Sequence, residues 1–587
     1  HQIESYNDYI INIIPCILSQ FFPVSIDFNN ENICIRNIKL SYTNYSIGKP
    51  YYTENNGCSK LLYPSTARLR NYTYSLSIYI DIIIVISIND NNSRVILPNQ
   101  IIKNVLLGKI PIMVKSKYCT YKNDMEMCPF DLGGYLIING NEKVIISQEK
   151  ITPNKIQVFK DTKKYSYICE IRSSHENLFN IPKLTSIRIT NKFDKMLNKI
   201  YINVPILQKD IPLFVIFKIF GCLTDKEIIY HIIDNNNIYD SKFIDVLLPS
   251  FEDVFNIRTK LDAFEYLYPN LNQSYNYLSN ENKNKYIENY VLKNIIPHIT
   301  DVSSKLMFLG YMVNKLIKCY LNIEQTDDRD SYSNKRIDTP GVLLGNLTYL
   351  CVSKMIKDIK QQMPKEVEKE SYSLDKNNIQ NIINESNINR LIKSNYLETC
   401  LKNSLATGNW GIKGGTSDKS GVSQVLNRLT YMSCLSHLRR ISASADITGK
   451  LIPPRKLHNT CWGYICPSET PEGQSIGLVK NLAIMCEITS QYSSEPIRNL
   501  LKDKVLTFDE IDICKYNKMN TKIFINGDWI GYISDVNNVV KYIKEKRSQG
   551  IINIYVSVHL DYSINVLYIY TDRGRCIRPL IKVYDSS

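Results

Sequence analysis

The 587-residue sequence contains no Cys-x-x-Cys pair, although it carries 16 cysteines. Structural zinc sites usually bring two close ligand pairs. The nearest arrangement of ligand types is His458, Cys461 and Cys466, with no second pair, which argues against zinc there. Cysteines scattered singly read as reduced, mostly buried thiols of a cytosolic or nuclear protein. Long apolar runs are also lacking. The longest spans 78–88, is interrupted by Asp81, and falls far short of the ~20 residues that cross a bilayer. It is rich in β-branched residues and bounded by turn formers, so it reads as a buried strand. No charged-then-apolar leader is present, so secretion is not expected. Sequons such as Asn44-Tyr45-Ser46 and Asn71-Tyr72-Thr73 follow by chance from a chain rich in Asn. No GxGxxG, HExxH or EF-hand loop occurs. A phosphate loop is excluded as well: Asp418 stands before Lys419-Ser420 where GxxxxGK[ST] needs its second glycine, and no strand directly precedes it. There is no internal repeat and no coiled coil.

What is present is an ordinary globular composition with 44% hydrophobic and 22% charged residues, which excludes a wholly disordered chain. The length allows roughly three to five domains. Lys+Arg 71 against Asp+Glu 57 leaves +14, an excess that suits a polyanion partner. Residues 4–20 have helical spacing. Residues 74–114 read as strands broken at Asp90-Asn91-Asn92 and at Pro98, and 130–150 as a strand–turn–strand unit turning at Asn139-Gly140-Asn141. Segments 211–223, 226–233, 305–320 and 342–363 have the 3.6-residue period of helices, and the polar run 365–389 reads as a surface excursion. Glycines then cluster at 408–421 in a flexible, charged loop. The apolar spacing of 422–438 predicts one helix ending at Arg439-Arg440, where cations suit a helix C-terminus. A loop at 442–455 follows, and 490–587 reads as a small α/β module with strands near 522–525 and 567–571.

One strip gathers His437, Arg439, Arg440, Lys450, Arg455, Lys456 and His458 around a single acid, Asp446. Such a strip can hold a phosphate backbone, and it can equally be a solvated basic face. Glu469 and Glu472 lie in Cys466-Pro467-Ser468-Glu469-Thr470-Pro471-Glu472-Gly473, where the prolines fix a turn. These carboxylates read more readily as partners of neighbouring cations than as acid–base catalysts.

Several ordered stretches carry a resemblance. They are Ala67-Arg68-Leu69-Arg70-Asn71-Tyr72-Thr73-Tyr74, then Gly133-Gly134-Tyr135-Leu136-Ile137-Ile138-Asn139-Gly140-Asn141-Glu142-Lys143-Val144, then Asp327-Asp328-Arg329-Asp330 with Asn334-Lys335-Arg336. The most specific run goes from Ala406-Thr407-Gly408-Asn409-Trp410-Gly411 through Gly421-Val422-Ser423-Gln424-Val425-Leu426-Asn427-Arg428, Leu435-Ser436-His437-Leu438-Arg439-Arg440 and Leu457-His458-Asn459-Thr460 to Glu469-Thr470-Pro471-Glu472-Gly473-Gln474. Together they resemble the second-largest, β-type subunit of multisubunit DNA-directed RNA polymerases, along essentially the whole chain. The wording around Asp328-Arg329-Asp330-Ser331-Tyr332 is most similar to polymerases of large cytoplasmic DNA viruses.

The resemblance implies a mixed α/β multidomain fold: a protrusion (1–175 and 349–408), a lobe (176–348), a fork (409–489) and an external domain (490–587). It implies that Lys413, Lys419, Gln424, Arg428, His437, Arg439, Arg440, Lys450, Arg455, Lys456, His458 and Glu472 lie near nucleic acid or the incoming NTP, with Glu472 as a positioning residue. No catalytic residue and no metal ligand is expected in this chain. By the same resemblance Mg2+ is held mainly by the largest subunit, and Zn2+ belongs to a C-terminal half that this sequence does not include. Implied partners are the largest and other polymerase subunits, DNA template, RNA transcript and NTPs, with no membrane. The implied location is intracellular: the nucleus, or host cytoplasm or virion for a viral enzyme. The competing readings are a non-catalytic nucleic-acid-binding scaffold derived from a polymerase half, and a secreted glycoprotein.

Overall fold

In the computed structural model, all residues are described except 29–34, 91–92, 162–164, 191–197, 206, 234–239, 272–278, 372–382, 412–418, 444–450, 508–520 and 582–587. The expected break at Asp90-Asn91-Asn92, the glycines at 414 and 415, Lys413 and Lys450 therefore fall wholly or partly outside the described residues.

The N-terminal helical stretch covers 2–21 and packs on the long helix Pro340–Ser371. The two approach closely. Gly341 donates its N–H to Ser5 Oγ at 3.3 Å, and a Cβ at Gly341 would lie 1.8 Å from the Ser5 carbonyl oxygen. Both elements bury apolar faces against an antiparallel sheet of Val24–Asp27, Ile35–Ile47, Ser75–Asp90, Ser93–Ile96 and Gln100–Pro111. The expected strand 78–88 lies inside Ser75–Asp90. Ile78, Ile80, Ile82, Ile84 and Ile86 are buried on one face, as the period of two requires. Asn139 and Gly140 have φ of 49° and 78° and close the tight turn between Leu136–Ile138 and Asn141–Ile145.

A second core changes hands between Ile146 and Ile156, inside the stretch 1–175. It is built on the antiparallel sheet Gln157–Lys160, Tyr165–Ser173, Lys183–Thr190, Ile200–Asn203 and Ile211–Pro212, covered by helices that include Leu213–Phe220, Asp225–Ile232 and Val302–Tyr320. The C-terminal module has the strands expected at 522–525 and 567–571, here Thr521–Ile525 and Val566–Tyr570 paired in parallel, with the helix Val536–Ser548 on its own small core.

Two expectations are corrected. Residues 422–438 are not one helix. Ser423–Val425 is a strand paired with Asn141–Ile145, a turn follows, and the helix is only Tyr431–Leu438. The apolar spacing misled because Val425, Leu429 and Met432 are 61%, 86% and 68% exposed and do not enter the core formed by the described residues. The run 365–389 is not simply a surface excursion. The long helix continues to Ser371 with Val367 fully buried, and the helix Glu385–Leu391 buries Ile388 and Leu391.

A four-stranded sheet joins these parts: Lys335–Asp338, Ser147–Ile151, Arg440–Ser442 and Val479–Asn481. Ser147–Ile151 is its pivot, antiparallel to Lys335–Asp338 and parallel to Arg440–Ser442. Segments about 190 and 290 residues away in sequence thus meet on one strand, which positions the basic strip.

Candidate nucleic-acid interface

The strip begins on the helix Tyr431–Leu438. Its N-terminus is closed reciprocally: the Ser433 N–H donates to Thr430 Oγ1 and the Thr430 N–H donates to Ser433 Oγ, each at 3.0 Å. Arg439 is the C-cap, and its guanidinium turns inward. Nη2 donates to the carbonyls of Ala483, Cys486 and Ile484 at 2.7, 3.0 and 3.3 Å. Arg439 is therefore a clamp on the 483–486 loop. Arg440 opens the strand Arg440–Ser442 and is half-buried, and its Nε has no hydrogen-bond partner among the described residues. His437 is 4% exposed. Its Nδ1 accepts the Asn427 N–H at 3.1 Å, which leaves Nε2 to donate to Gln424 Oε1 at 3.0 Å. Burial, helped by the Arg440 charge, lowers its pKa to about 4, so the ring is neutral at physiological pH. Gln424 also donates to the Gly421 carbonyl at 3.1 Å.

Arg428 is committed to carboxylates. It reaches Glu142 at 2.7 Å and Asp131 at 3.0 Å, lies over the Tyr135 ring at 4.9 Å, and shares Glu142 with Arg68 at 2.9 Å. Burial opposes its charge, but Glu142 and Asp131 hold it protonated, with the pKa raised. Arg455 Nη1 binds the carbonyls of Gln474 and Ile476 at 2.6 and 3.1 Å, pinning the turn that carries Glu472. His458 bridges Asp328 (2.6 Å) and Thr460 (2.7 Å) rather than joining Cys461 and Cys466. Among the described residues no group of three or more His, Cys, Asp or Glu is arranged to hold a metal ion. Lys419 is half-buried beside Asp338, Lys150 and Arg172, and burial lowers its pKa. Lys456 and Glu472 are exposed, whereas Glu469 accepts a hydrogen bond from Ser436 and pairs with no cation among the described residues.

The structure thus divides the predicted set. Arg428, Arg439 and Arg455 brace the backbone and neighbouring strands, His437 and Gln424 pair with each other, and Lys456 and Glu472 face solvent. It also reveals a group that sequence reasoning missed. Glu149 is 4% exposed and sits between Lys335 (3.3 Å) and Lys480 (3.3 Å), with the Tyr332 hydroxyl donating to it. Burial opposes its charge, but Lys480, Lys335 and Tyr332 together hold its pKa below the usual range. Beside it Arg336 is 4% exposed, with Nε on Asp572 at 2.7 Å and the guanidinium over the Tyr570 ring at 5.0 Å. Glu149 had no signal in its own segment, because its partners lie 186 and 331 residues away. Lys335 and Arg336 stood in a quoted motif, but their carboxylate partners, the buried Glu149 and the half-buried Asp572, were not visible from it.

Residues 1–390 match the family described as RNA polymerase beta subunit, 424–488 match RNA polymerase Rpb2, domain 3, and 523–584 match RNA polymerase Rpb2, domain 4. The chain belongs to this family of RNA polymerase beta subunits. Among its relatives, DNA-directed RNA polymerase II subunit 2 of Arabidopsis thaliana is 35% identical over 99% of this chain and 50% of its own length. DNA-directed RNA polymerase subunit 2 of Acanthamoeba polyphaga mimivirus is 32% identical over 100% of this chain and 50% of its own. DNA-directed RNA polymerase subunit Rpo2 of Saccharolobus shibatae is 29% identical with the same coverage. The chain spans about half the length of the curated relatives it matches.

Proposed function

We propose that this chain works as the N-terminal part of the second-largest subunit of a DNA-directed RNA polymerase, guiding template, RNA–DNA hybrid and incoming NTP beside an active centre shared with the largest subunit. The reaction is template-directed nucleotidyl transfer: the RNA 3′ hydroxyl attacks the NTP α-phosphate, and pyrophosphate leaves. This chain supplies position and charge. The resemblance to this family implies that the metal-binding carboxylates of that centre belong to the largest subunit. In the terms of this family, 1–175 and 349–408 form the protrusion, 176–348 the lobe, 409–489 the fork and 490–587 the external domain. Other polymerase subunits, DNA, RNA and NTPs are the partners, and the working place is inside the cell. No described helix is long and apolar enough to cross a membrane.

The observation that carries this reading is the rigidly braced surface formed by the described residues between 423 and 486. Internal bonds hold Arg428, Arg439 and Arg455, while Lys456, Glu472 and large apolar side chains face outward. Trp462 is 78% exposed and Ile484 is 91% exposed. Apolar side chains left bare in such number mark a face that a partner covers. Lys456, Arg440 and Lys419 would contact phosphates without reading sequence, and Lys413 and Lys450 belong to the same proposal. Lys456→Glu in the reconstituted polymerase should shorten elongation-complex half-life, with the loss growing as salt falls. A half-life equal to wild type across the salt series would refute the assignment. The scaffold reading predicts instead that no largest subunit copurifies with the chain.

A further inference from the structure

A crevice of about 620 Å³ opens where the strand Ser147–Ile151, the strand Tyr165–Ser173, the first turns of the long helix Pro340–Ser371 and the segment 570–573 converge. It is remote in sequence from the strip 423–481, apart from Trp410, Gly411 and Lys419 on one wall. A volume of this size suits a small organic ligand.

Its charges do not balance locally. Each acid on the wall is already engaged: Asp338 by Lys150 at 2.5 Å, Asp572 by Arg336 at 2.7 Å and Arg575 at 3.1 Å, and Glu176 by the Ser494 hydroxyl at 2.9 Å and N–H at 3.1 Å. Arg172 and Arg573 are not so engaged. No described carboxylate lies within ion-pair distance of either guanidinium. Arg573 is half-buried, with its guanidinium over the Phe179 ring at 4.8 Å. Burial pulls its pKa down, and Asp338, Asp8 and Asp572 offset this only from longer range. A half-buried guanidinium without an acceptor is costly to leave unmatched. One wall is apolar: Val342, Leu343, Leu347 and Leu350 follow helical spacing toward Trp410, whose indole N–H is satisfied by the Leu343 carbonyl at 3.0 Å.

We infer that this crevice binds a small organic anion, its phosphate-like group between Arg172 and Arg573 and its flat apolar body against Leu343, Leu347 and Trp410. A guanidinium suits a phosphate or sulfonate because its fork offers parallel N–H donors, and here Arg172 stands exposed on the wall while Arg573 is half-buried. The inference stands on the crevice itself and does not depend on the polymerase reading.

The test is a fluorescence titration of the full chain with anilinonaphthalene sulfonate, a flat ring carrying one anionic group, followed by competition with ATP, adenosine and pyrophosphate. Saturable binding at one site is expected, with energy transfer from Trp410 and displacement by ATP but not by adenosine. Arg172→Gln with Arg573→Gln should weaken binding about tenfold or more, since two charge-assisted contacts are lost. Asn346→Trp, which fills the crevice from its half-buried wall and leaves both arginines in place, should abolish binding even if the double variant folds poorly. Unsaturable binding, or affinity unchanged in the Asn346→Trp chain, overturns the site. Displacement by pyrophosphate as effective as that by ATP overturns the apolar half of the assignment.

Discussion

Glu149 offers the sharpest test of how the joint between the domains is held. Its carboxylate is 4% exposed, and the side chains of Lys335 and Lys480 beside it are each only 12% exposed. Glu149→Gln keeps the shape and removes the charge. Lys480 then loses its carboxylate partner among the described residues in a poorly hydrated place, and Lys335 keeps only the longer contact to Asp330 at 3.8 Å. Breaking a buried ion pair from one side costs about 3–5 kcal/mol, and the bond from the Tyr332 hydroxyl, now accepted by an amide oxygen, loses its charge assistance. The sign reverses when all the charges leave together. Glu149→Leu combined with Lys335→Met and Lys480→Met should recover part of the loss, because the apolar cluster carries no ion desolvation cost and only the Tyr332 hydroxyl loses its acceptor. Urea denaturation of the chain measures both variants. Hydrogen exchange localises the effect, and amides of Arg440–Ser442 and Val479–Asn481 should exchange faster in Glu149→Gln because both strands lie in the sheet centred on Ser147–Ile151. A Glu149→Gln chain within about 0.5 kcal/mol of wild type, the range of an ordinary surface change, would refute the reasoning. So would a triple variant no more stable than the single one.

Other outcomes follow from the same geometry. Gly341→Ala should destabilise by about 3 kcal/mol or more, beyond the usual cost of overpacking, because the added methyl would meet the Ser5 carbonyl oxygen at 1.8 Å; an unchanged melting temperature would show that the two helices separate easily. His437 has its folded pKa lowered from 6.5 to about 4 by burial, with the Arg440 charge adding to it. Between those values the unfolded chain binds the extra proton, so stability rises with pH there and is lost as pH falls, by about 1.4 kcal/mol per unit at most. Urea midpoints measured across that window should slope less in His437→Gln, and an identical slope would contradict the neutral-ring assignment. Arg428→Glu should loosen the strand Ser423–Val425 from Asn141–Ile145, and a compensating Glu142→Arg should restore part of the loss; a double-mutant coupling near zero would deny the pair.

How far the sequence could be read depended on whether the physics was local. The strand Ser75–Asp90 announced itself through alternating isoleucines, and the turn at Asn139-Gly140 through residues that tolerate positive φ. The helix expected over 422–438 failed for an instructive reason. Periodicity assumes that apolar residues seek this chain's own core, yet Val425, Leu429 and Met432 are exposed. The strip of cations was visible, but the direction of each guanidinium was not. A carbonyl cluster such as that of Ala483, Ile484 and Cys486 leaves no trace in side-chain identity, so Arg439 looked the same as a phosphate contact.

That distinction changes what a charge reversal can mean on this surface. Arg439→Glu would free three carbonyls and set a carboxylate against them, so any loss of nucleic-acid retention would mix unfolding of the 483–486 loop with lost attraction. Lys456 has no such bond among the described residues and lies exposed beyond the short helix Pro453–Arg455. Its reversal changes the field toward a phosphate backbone while the braces at Arg428, Arg439 and Arg455 stay intact. A salt-dependent defect in Lys456→Glu, together with an unshifted melting temperature, therefore speaks for electrostatics alone. A salt-independent defect in Arg439→Ala with a lowered melting temperature speaks for the clamp.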